Sequence, residues 1–200
     1  MKFIGVPTYI ETYKNVLTHS ECETIIKYFE QQPKVEGVIG ISQDKSDKTR
    51  KSCLELPGLA FSNIKYELIS NIIFPVICQC LEKYKKKYKE LDLLQRWNIC
   101  NNYNIQKYST LNDGYKIWHC EQGMENETSG RILSWMFYLN NSKSGTEFLR
   151  YSNIKPKAGN FIIWPAGWTH MHKGETPNKG LKYIITGWVE YDKLSNCLSR

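Results

Sequence analysis

The side chains best suited to chemistry are His119 and Glu121, which flank Cys120, with His170 and His172 farther along the chain. Lys182 follows His172 by ten residues (182 − 172 = 10). On an extended strand, residues two apart point to one face, so His119 and Glu121 can converge on one ion while Cys120 faces away. His170 and His172 share a face by the same rule, and either one completes a two-His, one-carboxylate set. Such a set holds Fe(II) on one side and leaves the remaining positions to small ligands and oxygen. Two neutral imidazoles and one carboxylate leave the ion net positive, which favours an anionic chelator. Lys182 then supplies a fixed cation for an anionic co-substrate, whose charge would be very costly to bury unpaired. An H-x-E pair alone is a weak signal, so the surrounding sequence has to carry the reading.

These residues need a β scaffold, and the second half of the chain has the texture of one. From Trp97 onward, short β-type runs cover Tyr103 to Tyr108, Tyr115 to Glu121, Arg131 to Leu139, Thr146 to Tyr151, Asn160 to Trp164 and Leu181 to Tyr191. Clusters of Gly, Asn, Asp, Ser and Pro separate them, the pattern of a sandwich or barrel with helices packed outside. Within the last run, Lys182, Ile184, Thr186 and Trp188 fall on one face by period two. That face combines the Lys with apolar lining.

The first half reads as helical support. Thr18-His19-Ser20-Glu21 has the form of a capping box, and Cys22, Ile25, Ile26 and Phe29 recur at helical spacing after it. A second helix is expected through Ile64, Leu68, Ile72 and Val76 to about Tyr88, kinked or broken at Pro75. Between them, Lys34 to Ser52 carries Gly37, Gly40 and the mixed-charge run Asp44 to Lys51 without apolar periodicity. It reads as a long mobile loop suited to act as a lid or substrate clamp.

The bulk properties narrow the function classes. Two hundred residues with 41% hydrophobic and 13% aromatic content describe one ordered domain. The start, Met1 to Pro7, does not have the form of a signal peptide, and the longest apolar stretch, Ile72 to Cys78, is too short to span a bilayer. Much of the net charge of +7 sits in Lys83 to Lys89, where Tyr84 and Tyr88 extend the apolar helix face of Ile77 and Leu81. That arrangement is a solvated helix face, not a nucleic-acid or membrane patch. Seven scattered cysteines without a CxxC motif are expected to be reduced thiols in a cytosol-like compartment.

Several ordered motifs now resemble one family. Tyr108, Gly114-Tyr115 and His119-Cys120-Glu121 resemble the "Y…G-Y…H-x-D" region of Fe(II)/2-oxoglutarate dioxygenases of the prolyl 4-hydroxylase type. Arg131 to Asn140 is similar to that family's "R…YLN" strand, and Gly145-Thr146-Glu147-Phe148 to its "G-x-T-x-F" turn in shortened form. Lys155 to Phe161 resembles its "P-x-x-G-x-x" entry to the next strand. His172 to Lys182, followed by Gly187-Trp188-Val189, resembles the closing "H…G-x-K…W" block. The Trp168-Thr169-His170-Met171-His172 version looks closest to small, often viral or phage-encoded, members. Two departures stand out: Glu121 where the commoner pattern has Asp, and a tyrosine-to-His spacing one residue longer, consistent with an insertion or bulge at Trp118.

The resemblance implies a mainly β domain with packed helices, a double-stranded β-helix (jelly roll) over residues 97–191 behind an N-terminal helical layer over 1–96. It implies His119, Glu121 and His172 as ligands of Fe(II), with His172 preferred over His170 because the ten-residue spacing to Lys182 starts there. Lys182 would pair with the distal carboxylate of 2-oxoglutarate, and Tyr108 and Tyr138 would hydrogen-bond that co-substrate. Oxygen is the other co-substrate, with ascorbate as an accessory reductant. The implied activity is oxidative decarboxylation of 2-oxoglutarate coupled to C–H hydroxylation, of a peptidyl proline by default. Partners would be a peptide or small molecule, with no membrane and with nucleic acid disfavoured but left open, in the cytoplasm or, for a viral protein, the host cytosol. Two other readings stay open: the same chemistry on an amino acid, another protein side chain or a nucleobase, and a non-catalytic β-sandwich binding module. Trp118, Arg150 and Trp168 are candidates for the mouth of the site.

Overall fold

Alternation of side chains along the strands organises the molecule. The computed structural model describes residues 7–37, 48–109, 112–177 and 180–192. In the first half, β1 (Glu11–Tyr13) precedes α1 (His19–Gln31), and β2 (Val35–Glu36), β3 (Lys51–Ser52) and β4 (Leu54–Ala60) precede α2 (Glu67–Lys87). The second half begins with β5 (Trp97–Tyr108), β6 (Gly114–Tyr115) and the one-turn α3 (Asn126–Ser129). It continues through β7 (Arg131–Tyr138), β8 (Thr146–Phe148), β9 (Phe161–Pro165), β10 (His172–Gly174) and β11 (Lys182–Tyr191).

Seven strands form one antiparallel sheet in the order β1-β9-β7-β11-β5-β4-β2. Facing it are two short antiparallel pairs, β10 with β8 and β3 with β6, linked by an isolated bridge between His119 and His172. Alternate residues of each central strand serve different layers. Tyr103, Ile105, Leu133, Trp135, Phe137, Phe161, Ile163, Tyr183, Ile185 and Val189 pack under the helices in one core. Tyr108, Met136, Tyr138, Ile162, Trp164 and Ile184 turn the other way, into a smaller core with Cys53 and Phe148. Gly187 allows the middle of β11 to lie flat on the first core, because a Cβ there would run into the Trp135 ring. Gly58, at φ +64°, sits at the register shift between Leu56 and Leu59 and turns β4 where the exposed Pro57 borders the cavity.

The helices follow from their sequences. Thr18 caps α1 by accepting from the Glu21 backbone N–H, and Glu21 reaches back to the Thr18 N–H at 2.7 Å. Cys22, Ile25 and Phe29 form its buried face. In α2, Ile69, Ile73, Ile77, Cys80, Leu81 and Tyr84 are buried, while Lys83 and Lys86 are exposed. This helix runs through Pro75 without the break that the sequence allowed. Pro75 and Asn71 lie on the exposed side, where the carbonyl that loses its partner is open to solvent. The segment Ile64–Lys87 is long and apolar enough to cross a membrane by length and composition alone. Its apolar residues divide between the core face and the exposed Leu68 and Phe74.

The first half is also less helical than its sequence implies. Strand β1 edges the main sheet against β9, and β4 with β2 extends it beyond β5. These strands are two to seven residues long and need a partner from the second half or a neighbouring strand to exist. The predicted loop Lys34 to Ser52 therefore begins and ends in strand, with Lys51 buried. Its middle, 38–47, and the N-terminal stretch 1–6 lie outside the described residues.

Candidate functional site

Backbone pairing brings the expected ligands together. Only Gly114–Tyr115 of the predicted strand through Glu121 is regular strand, and the chain around the exposed Trp118 is irregular. His119 is nonetheless fixed opposite His172, its N–H donating to the His172 carbonyl at 3.0 Å and its own carbonyl accepting from the His172 N–H at 2.9 Å. The N–H groups of Glu121 and Gln122 both donate to the Ala166 carbonyl. The Nε2 atoms of His119 and His172 each lie 3.5 Å from Glu121 Oε1. One ligand atom from each of the three residues lies within 4.8 Å of the others, a group able to hold a metal ion.

Outer contacts set which atoms face the centre. His119 Nδ1 sits 3.1 Å from the Ile117 carbonyl, and His172 Nδ1 2.9 Å from the His170 carbonyl. A carbonyl only accepts, so each Nδ1 carries the proton and each Nε2 presents a lone pair to Glu121. Two lone pairs and a carboxylate oxygen aimed at one point require a cation between them. Burial holds the His119 imidazole below its ordinary value and keeps it neutral. Burial alone would raise the Glu121 carboxyl. Without a bound cation, hydrogen bonding and charge from the two histidines in their protonated form outweigh it and hold the group well below the usual carboxylate range. A bound cation takes that part when both rings are neutral. Neutral imidazoles and an ionised carboxylate are the protonation states metal ligands need.

The site opens into a cavity of about 630 Å³. Lys182, Ile184, Thr186 and Trp188 all line it, as their period-two spacing on β11 requires. Lys182 is only 3% exposed, stands directly across from Tyr108 on β5, and holds its ammonium 4.8 Å from that ring. Its Nζ donates to the carbonyls of Glu175 at 3.2 Å and Gly145 at 3.4 Å, and it enters no ion pair among the described residues. Burial pushes its pKa down from 10.5 to about 8, partly opposed by the nearby Glu175 charge. A buried ammonium beside a cavity and held only by carbonyls fits an anion, since an unpaired charge in such a place is costly.

The other expected residues fall in different places. Tyr108 lines the cavity and donates its hydroxyl to Gln106 at 2.8 Å. Tyr138 does not line it; its hydroxyl pairs at 2.8 Å with Thr146, which does. His170 is buried away from the other three, with Nε2 2.8 Å from the Thr8 carbonyl and its ring stacked on Tyr151. Trp118, Arg150 and Trp168 are exposed and stand outside the lining; the open end is formed instead by Gly123, Met124, Glu125 and Thr128.

Several contacts of the site gave no usable signal in sequence, although Tyr115, Arg131 and Trp188 stand in the motifs named above. Glu55 accepts from Lys51 at 2.9 Å and from Gln106 at 3.1 Å, so a buried charged wall runs from β3 to Tyr108. Tyr115 stacks on the His119 ring with centroids 3.5 Å apart. Trp188 and Arg131 both hydrogen-bond Glu121. All these contacts join distant segments, and only the alternation that faces Gln106 and Trp188 inward is local.

The model of the 2OG-Fe(II) oxygenase superfamily matches residues 103–190, the span that contains all three grouped ligands and Lys182. Over that span the chain is similar to that superfamily. Solved structures of similar oxygenases establish the jelly-roll fold. The viral collagen prolyl hydroxylase vCPH from Paramecium bursaria Chlorella virus-1, in its 2OG complex, superposes with TM-score 0.65 at 16% identity, covering 92% of this chain and 96% of that one. A Pseudomonas putida prolyl-4-hydroxylase gives 0.66 at 12% identity, with 92% and 93% covered. The non-haem alpha ketoglutarate dependent epimerase SnoN from nogalamycin biosynthesis gives 0.64 at 9% identity, with 92% and 78% covered. The comparison with curated proteins finds no match.

Proposed function

We propose that this protein is an Fe(II)- and 2-oxoglutarate-dependent hydroxylase of peptidyl proline. In this reading His119, Glu121 and His172 hold the iron, and Lys182 takes the distal carboxylate of 2-oxoglutarate. The observation that carries it is the pairing, inside one cavity, of a convergent His-Glu-His group with a buried lysine that enters no ion pair among the described residues. Bound iron supplies the activation of oxygen, driven by oxidative decarboxylation of the 2-oxo acid. The chain's own residues do the rest. Lys182 orients the co-substrate by its far end, with Tyr108 beside it and Tyr138 acting through Thr146. The wall of Ile184, Met136 and Trp188 keeps water from the reacting centre.

Proline as the target rests on the family resemblance and on two prolyl hydroxylases among the similar structures. The likeness to SnoN at a comparable TM-score supports a second reading, the same chemistry on a small molecule. The six free cysteines among the described residues favour a reducing compartment such as the cytoplasm.

Anaerobic addition of Fe(II) and then 2-oxoglutarate should produce a visible charge-transfer band, and admission of oxygen should release succinate. Fully iron-loaded protein that shows neither is not an oxygenase. Replacing His172 with Ala should abolish iron binding, whereas His170→Ala should retain it; the opposite pattern would move the third ligand to His170. Mass spectrometry of a proline-rich peptide library and a cell extract, scored for 2-oxoglutarate-dependent gain of one oxygen atom, then separates proline from other targets.

A further inference from the structure

Glu121 reaches one methylene farther than the Asp more usual at its position, and the structure shows what catches the added reach. While Oε1 faces the two histidines, Oε2 accepts from Trp188 Nε1 at 2.9 Å and lies 3.4 Å from Arg131 Nη1. The same Arg131 Nη1 lies 3.2 Å from the Glu121 backbone carbonyl. The Arg131 guanidinium rests on the Trp188 ring, its carbon 3.6 Å from the centroid. Both residues line the cavity, one at the start of β7 and the other on the neighbouring β11. Among the described residues Arg131 Nε is buried without a hydrogen-bond partner, and its head group meets the cavity wall through stacking and the two contacts with Glu121.

From this geometry we infer that Arg131 and Trp188 form a clasp that makes Glu121 a one-oxygen ligand. A carboxylate free to swing can chelate a cation through both oxygens. The second oxygen would then occupy a position that a chelating 2-oxo acid or oxygen needs. With Oε2 held by two donors, only Oε1 is available, and the longer side chain can do the work of a shorter one. Trp188 and Arg131 are positioning residues: they act through Glu121. An Asp in the same backbone position is shorter by one C–C bond, ~1.5 Å, and cannot satisfy the clasp and the metal together. The inference rests on the proposed His119-Glu121-His172 metal site.

The test is a double-mutant cycle on the full chain, with Co(II) as an oxygen-stable probe read by its visible absorption. The wild type, Trp188→Phe, Glu121→Asp and the double variant are titrated, each corrected for its folded fraction by circular dichroism. Trp188→Phe keeps an aromatic ring, though a smaller one, and loses the N–H donor of interest; it should weaken Co(II) by ~10-fold, the scale of outer-shell losses. Glu121→Asp should weaken Co(II) by ~10–100-fold in the wild-type background, with this penalty shrinking by ~10-fold when Trp188 is already Phe. At saturating Co(II), 2-oxoglutarate should bind Trp188→Phe ~10-fold more weakly than wild type, because the freed Oε2 competes for its position. If Trp188→Phe does not fold, Arg131→Lys provides the same cycle, since it keeps the charge and loses the planar fork. Penalties that simply multiply, together with unchanged 2-oxoglutarate affinity, overturn the clasp. Wild-type protein that binds no Co(II) overturns instead the metal site on which the clasp rests.

Discussion

The two faces of the central sheet are built from the same strands and hold opposite chemistry. Toward the helices, Tyr103, Ile105, Trp135, Phe137, Phe161, Ile185 and Val189 form a continuous apolar layer. Toward the cavity, the intervening positions include Asn104, Gln106, Lys182 and Thr186 beside Met136, Ile184 and Trp188. One residue along β11 separates a lysine that costs stability from a tyrosine in the main core. The division shows how the fold can carry a buried charge: one face supplies the hydrophobic stabilisation that the other gives up.

The largest effect on stability is expected from truncating the apolar face. Phe137 is fully buried, with its ring 4.8 Å from Phe161 and 5.9 Å from Trp135. Phe137→Ala should lower unfolding free energy by ~3–5 kcal/mol, the usual cost of a large-to-small core change. Urea denaturation measures it, while Co(II) affinity of the remaining folded protein should stay at the wild-type value. Loss of metal affinity in the folded fraction would show that the faces are coupled.

The next effect has the opposite sign. Lys182 is buried and charged below its depressed pKa of about 8, so folding works against its desolvation at neutral pH. Lys182→Met should raise stability at pH 7 by up to ~3 kcal/mol, from the shift between 10.5 and about 8. The pH dependence follows from proton counting. Between about 8 and 10.5 the unfolded chain holds the Lys182 proton longer than the folded one, so this residue makes wild-type stability rise with pH there. The gap between variant and wild type should therefore close across that window. The same variant should bind 2-oxoglutarate on the order of 100-fold more weakly with little change in Co(II) affinity. A destabilised Lys182→Met with intact 2-oxoglutarate binding would make the lysine a structural part of the wall.

The comparison also explains what was readable beforehand. Period two along Lys182, Ile184, Thr186 and Trp188 is a local property, and it correctly faced all four into the cavity. Helical spacing and the Thr18–Glu21 box likewise needed only near neighbours. Strands β1 to β4 escaped because their pairing partners lie elsewhere in the sheets, and a three-residue Glu11–Tyr13 has no periodicity to read. Lys51 ends a mixed-charge run that read as part of a mobile loop, yet it is buried against Glu55. Trp188 was visible as a motif tryptophan, but its bond to Glu121 spans 67 residues and depends on Arg131 from a third segment. Local rules find faces; they do not find what meets across them.

The smallest effect belongs to the open end of the cavity, where neither face of the sheet is involved. Met124 is 99% exposed and lines that end beside Gly123, Glu125 and Thr128. Met124→Ala should change stability by less than ~0.5 kcal/mol, as expected for an exposed site without partners. Co(II) and 2-oxoglutarate affinities should be unchanged, because both sites lie on the walls below. If an extended peptide crosses this opening, the lost apolar contact should raise KM by a few-fold, on the order of 1 kcal/mol or less, with kcat retained. The effect should appear with long peptides and vanish with a single amino acid, which would sit inside without touching Met124. An equal rise in KM for short and long substrates would place Met124 over a small-molecule pocket and favour the second reading of the substrate. No change with any substrate would confine recognition to the walls, with Asn104, Gln106 and Thr186 as the polar groups left to perform it.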